Sequence, residues 1–185
     1  VPAAAPEEPA PPQTPPIIIY HVEGARSERI VWLMEELGLP YKLEFKRGDA
    51  AGSMDTIRTV HPRMPVAPTV DIGGQVFVES GAIIETILNR YAPGKLQPDL
   101  ANTAYPYYLM WMHYAEGSLA SHIGADYRAW QTKPPKERSP QVDSEQVVQF
   151  AEDWLSVHPW FAGPEFSAAD IMMLFPLNMA VQLNV

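Results

Sequence analysis

The sequence predicts an α/β half followed by an all-α half, on three observations. Strand-type apolar segments occur at residues 17–20, 41–46 and 69–78 with helical periodicity between them. No strand-like alternation returns after Tyr91, and breaks containing Gly or Pro fall where one period gives way to the other.

The elements follow in order. Ile17, Ile18, Ile19 and Tyr20 form a short β-branched run suited to a strand buried on both faces. A turn at Gly24 leads into a helix over residues 26–37, where Ile30, Leu33, Met34 and Leu37 recur at helical spacing and Gly38-Leu39-Pro40 ends the element. Tyr41, Leu43 and Phe45 alternate with Lys42, Glu44 and Lys46, the period of a half-exposed strand, which completes a βαβ unit. Residues 48–60 carry weak signals, read as a loop and a short helix, and residues 61–68 are irregular, with Pro62, Pro65 and Pro68. Two strands joined by Gly73-Gly74 then make a two-residue hairpin over 69–78. A helix over 79–91 aligns Ile83, Ile84, Ile87, Leu88 and Tyr91, and Pro93-Gly94 closes it. The order βαβ, irregular or helical segment, ββα is that of a thioredoxin-like domain, placed at 17–91. A linker at 92–100 leads to an all-helical bundle domain at 101–185, with helices at 104–119, at 143–157 and from 168 onward, and a loop over 131–140. Residues 1–16, with seven prolines, read as a disordered Pro-rich tail.

Composition narrows the function. Thirteen Lys+Arg against twenty-two Asp+Glu leave a net charge of -9, the wrong sign for holding a nucleic acid by its phosphates. No stretch approaches the roughly 20 apolar residues of a bilayer span, and no basic segment followed by an apolar run resembles a signal peptide, so a soluble protein without a membrane partner is expected. Cys is absent, so any thiol chemistry must use sulfur brought in by a ligand. The histidines at 21, 61, 113, 122 and 158 show no HxxxH pair, and no metal is expected.

Three motifs carry local chemistry. Ser80 at a helix start places a hydroxyl and backbone N–H groups at a positive dipole end, suited to a carboxylate, with Glu79 beside it to accept from an ammonium group. From the residues alone, Ser80 reads equally well as a plain helix cap. Pro68 directly precedes a strand, where proline needs a special reason, or else it only stiffens a loop. In Phe166-Ser167-Ala168-Ala169-Asp170-Ile171, Ser167 and Asp170 form a capping box with Phe166 packing on Ile171. Ser167→Ala should cost about 1 kcal/mol in a denaturant titration.

On the Glu79-Ser80-Gly81-Ala82-Ile83 segment, the Ala67-Pro68 step, the capping box, and the stretches RSERIVWLMEELGL at 26–39 and YYLMWMHYAEGSL at 107–119, the chain resembles the cytosolic glutathione transferase superfamily, especially its bacterial and fungal members. The resemblance covers about residues 17–185. It implies a cytoplasmic homodimer that binds glutathione as co-substrate and conjugates its thiolate to a hydrophobic electrophile in detoxification. Glutathione would lie across Ala67, Pro68, Glu79 and Ser80, with Arg63 replacing a lysine of the relatives and the bond before Pro68 cis. Tyr107, Trp111 and Tyr114, at i, i+4 and i+7 on one helix, are the expected acceptor pocket.

In relatives with this first turn a serine hydroxyl activates the thiol; Ala25 stands at that position here. The substitutes, in order, are the backbone N–H groups of residues 25–27 with the charge of Arg26, then Ser27, then Tyr20. This departure keeps two other readings in view: glutathione-dependent disulfide or peroxide reduction, and a non-catalytic glutathione-binding protein.

Overall fold

The computed structural model describes residues 15–132 and 144–183. The Pro-rich tail up to residue 14 and most of the loop expected at 131–140 lie outside the described residues.

Strand β1 (Ile17–Tyr20) sits inside a mixed four-stranded sheet of order β2-β1-β3-β4, with β2 at Lys42–Glu44, β3 at Thr69–Ile72 and β4 at Gln75–Val78. β1 runs parallel to β2, with Ile19 opposite Leu43, and antiparallel to β3, with Ile19 opposite Val70. Ile17 and Ile19 point into the core, whereas Ile18 and Tyr20 on the other face are half-buried, so the run is closed on one face rather than both. β2 is shorter than the alternation suggested; Lys42 and Glu44 pair across its exposed side.

Helix α1 (Glu28–Leu37) begins two residues later than its pattern, because the chain first turns through residues 22–27, and it ends as expected. Gly38 adopts φ 62°, a left-handed conformation open to glycine, and its N–H caps Met34 and Glu35 carbonyls. Helix α2 (Ala50–Val60) is a full eleven residues where only a short helix was expected. Asp49 caps it, accepting from the Gly52 N–H at 2.8 Å, and its buried residues are Gly52, Ser53 and Ile57, too small a stripe to show as periodicity. The hairpin matches the expected register, Ile72 facing Gln75. Helix α3 (Ser80–Tyr91) buries Ile83, Ile84, Ile87 and Leu88 against α1.

The second part is helical: α4 (Tyr105–Tyr114), a π-helical segment (Ala115–Ala120), α5 (Ser121–Thr132), α6 (Ser144–Leu155) and α7 (Ala168–Leu183). The first three join into one rod that continues beyond the expected end at residue 119. Helix α7 packs against α1, α3, α4 and the π segment and so joins the two parts through one continuous core, with Ala168, Ala169, Ile171, Met172 and Met173 buried. Its start is the capping box: Ser167 Oγ accepts from Ala169 N–H at 3.3 Å, and Asp170 Oδ2 accepts from Ser167 N–H at 2.9 Å. Asp170 Oδ1 also accepts from Phe161 N–H at 2.9 Å, tying the preceding loop to the helix. Phe166 makes ring contacts with Trp32 and Trp160.

Candidate functional site

The chain enters α3 through Glu79, a non-glycine residue at φ 73°. Such a conformation costs of order 1–3 kcal/mol and persists where the surroundings over-determine it, often at functional sites. Ser80 follows at 5% exposure, at the positive end of the helix. Beside this helix start the Ala67-Pro68 bond is cis. Together they border a cavity of about 270 Å3 lined by Arg26, Met64, Val66, Ala67, Pro68, Glu79, Ser80 and Glu116.

Five of the sequence-derived candidates, Arg26, Ala67, Pro68, Glu79 and Ser80, therefore share one cavity, although they come from three separate stretches of chain. The others stand elsewhere. Ser27 is completely buried: its Oγ accepts from Val22 N–H at 3.1 Å and lies 2.9 Å from His21 Nδ1 and 3.2 Å from the Val22 carbonyl. Its hydroxyl holds the first turn together, and Ser27 is not among the residues lining this cavity. Burial of His21 lowers its pKa, outweighing the nearby Glu28 and Glu23, so the neutral ring is favoured as the partner of Ser27. Tyr20 does not line the cavity; its neighbours are Asp71, Glu44 and Lys42 on the outer face of the sheet, where burial and then the two carboxylates push its pKa up. That is the opposite of an activated phenol. Arg63 is exposed, and Met64 takes its expected place in the cavity wall.

Of the aromatic residues assigned to an acceptor pocket, Trp111 lies in the core, Tyr114 is half-buried and Tyr107 is exposed. Trp111 is fully buried, with ring centroids 4.7 Å from Phe161, 5.0 Å from Tyr114 and 5.3 Å from Phe150. Tyr114 donates to the Val147 carbonyl at 3.0 Å, and Tyr107 lies 5.0 Å from the Trp154 ring. The three weld α4 to α6, and none lines the cavity.

What the rod does contribute is Glu116, which sequence reasoning missed. Its Oε1 accepts from Arg26 Nε at 2.7 Å and from Arg29 Nη1 at 2.6 Å, and Arg29 Nη1 also donates to Ser80 Oγ at 3.2 Å. Arg26 lies over the Phe175 ring at 4.3 Å. Burial raises the Glu116 pKa, but the hydrogen bonds and charges of Arg26 and Arg29 outweigh it and hold the carboxyl below its ordinary value. A signal was present: Arg29 stands in the apolar stripe of α1 beside Ile30, Leu33 and Met34, and a cation buried there needs a carboxylate. At the first turn, Ala25 N–H is engaged by the Val22 carbonyl at 3.1 Å, leaving the amides of Arg26 and Ser27 as the donors at the helix start. No group of residues suited to a metal ion occurs among the described residues.

A thioredoxin-like sheet with its cis proline, joined to a helical part by a capped inner helix, defines the glutathione transferase fold. Residues 19–95 match the family model "Glutathione S-transferase, N-terminal domain". The chain is 29% identical over 182 residues to Glutathione S-transferase 3 of Schizosaccharomyces pombe, covering 89% of this chain and 74% of that one. A glutathione S-transferase from Actinobacillus pleuropneumoniae superposes with a TM-score of 0.78 at 25% identity, over 90% of this chain and 79% of that one. A theta class enzyme from Xanthomonas axonopodis pv. citri, solved with glutathione bound, gives 0.64 at 24% identity over 86% and 79%. These likenesses give the chain the fold of the glutathione transferases and match its first part to their N-terminal domain.

Proposed function

We propose that the protein is a glutathione transferase that holds its peptide co-substrate in the cavity at the start of α3. The observation that carries this reading is the convergence of Ala67, Pro68, Glu79, Ser80 and Arg26 on one site. The γ-glutamyl carboxylate sits at Ser80 and the N–H groups of the helix start, its ammonium beside Glu79. The cysteinyl backbone runs alongside Ala67 as an added strand would. The thiol is thereby aimed toward the turn at 25–27, where Arg26 and backbone amides favour the thiolate over a thiol of ordinary pKa near 8.5. The sulfur attacks an electrophilic carbon of a hydrophobic acceptor, forming the C–S bond as the leaving group departs with its electron pair. A homodimer is part of this proposal, to be checked by sedimentation.

Ala25, together with the burial of Ser27, favours a second reading: a protein that binds glutathione without accelerating transfer. Retention on immobilised glutathione tests binding, and conjugation of a chloronitrobenzene tests transfer. Turnover of a small disulfide with glutathione tests the reductase alternative. Binding with neither activity above the uncatalysed rate would select the second reading, and Ser80→Ala with an unchanged dissociation constant would remove the site.

A further inference from the structure

The cavity holds one group that the binding scheme above does not use. Glu116 arrives from the helical part, and a single one of its oxygens takes hydrogen bonds from both Arg26 and Arg29. Arg29 has no exposed surface in its side chain, and its Nε and Nη2 find no protein partner; what holds its guanidinium is Glu116 on one side and Ser80 Oγ on the other.

This arrangement decides what Ser80 offers to a ligand. A serine hydroxyl has one hydrogen and two acceptor positions. With one acceptor position filled by a guanidinium hydrogen, the hydroxyl keeps its hydrogen and a single acceptor position for the cavity, and a charged donor on the same oxygen strengthens it as a donor. A carboxylate is the group that accepts from it. The two guanidinium groups also outnumber Glu116, so the cluster stays cationic toward an anion.

We propose that Glu116 is a positioning residue of this site: through Arg29 it fixes the Ser80 hydroxyl as a donor to the carboxylate of the bound peptide. The inference rests on the glutathione reading above and adds to it a chain of contacts from the helical part to the ligand. Glu116 then controls affinity without touching the ligand, and its influence passes through one oxygen atom.

A double-mutant cycle read by calorimetry with glutathione tests this, using the full chain as wild type, Ser80→Ala, Glu116→Gln and the double variant. Each single change is expected to weaken the dissociation constant about ten-fold, the effect of one hydrogen bond to a charged group. In the Ser80→Ala background, Glu116→Gln is expected to change it less than about two-fold, because the route is already cut. Independent, multiplying losses would overturn the proposal and assign Glu116 a direct contact with the ligand's ammonium. An unchanged constant in Glu116→Gln would overturn it as well. Should Glu116→Gln fail to fold, Glu116→Asp keeps the charge for Arg29 while withdrawing the oxygen, and the same cycle applies. Wild-type protein that gives no saturable heat removes the glutathione reading and the relay together, whereas wild-type binding with independent losses removes the relay alone.

Discussion

On one face of the rod over residues 105–120, Trp111 is enclosed by Tyr114, Phe150, Trp154 and Phe161; on the other, Glu116 meets Arg26 and Arg29 at the edge of a cavity. The aromatic face looks like a binding surface in the sequence and is a seam between two helices. The face with a single carboxylate looks unremarkable and borders the site. The difference is energetic. Large rings stabilise most when they exclude water from one another, so a crowded aromatic stripe tends toward the core. A buried guanidinium, by contrast, is tolerable only with a counter-charge, so it dictates where a carboxylate must come.

The strongest way to break this comparison is Trp111→Ala. It should lower stability by about 3–5 kcal/mol in a urea titration while the folded fraction still binds glutathione; a large loss of affinity at little cost in stability would restore Trp111 to the site. Ser27→Ala should be costly for folding, about 1–3 kcal/mol, because the Val22 N–H and His21 lose their partner. Any conjugation activity should survive per mole of folded protein, and its complete loss would return the hydroxyl to the chemistry.

A smaller effect is gated by pH. Glu116 titrates below its ordinary value of 4.5 in the folded protein, so the unfolded chain takes up the proton first. Its contribution is therefore full above 4.5 and lost as pH falls through the lower folded value. The gap in urea midpoint between wild type and Glu116→Gln should stay constant above about pH 5 and close at more acid pH; a gap that widens there would contradict the Arg26–Glu116–Arg29 contacts. The smallest effect is expected of Tyr107→Ala. Its ring is 48% exposed on the outer edge of the seam, and the change should cost under about 1.5 kcal/mol with no effect on glutathione affinity.

Much of the fold was legible because its signals are local. The Gly73-Gly74 turn sets the hairpin register, Gly38 ends α1, and Ser167 with Asp170 starts α7, each through chemistry within a few residues of chain. Pro68 and Ser80 stood out because each marks a special backbone position ahead of a regular element, whereas joining Ala67, Pro68, Glu79 and Ser80 into one glutathione site came from the family resemblance. Helix α2 was underestimated, since its apolar stripe is little more than Ile57. Tyr20 and Ser27 were chosen for closeness in sequence to the turn, and Arg63 as the replacement for a lysine of the relatives; neither ground says which way a side chain points.

By itself, then, the sequence determined the order of strands and helices, their stops and caps, and the absence of any sulfhydryl other than a ligand's. Only the tertiary structure decided which face of the rod turns inward, because Leu109, Met110, Trp111 and Met112 are apolar all the way round and spacing cannot choose among them. It also decided that Glu116 joins Arg26 and Arg29, a contact spanning about ninety residues of chain, separations of 90 and 87. Local chemistry is fixed by covalent neighbours, but the partner of a buried charge is whichever group the packed chain brings within reach.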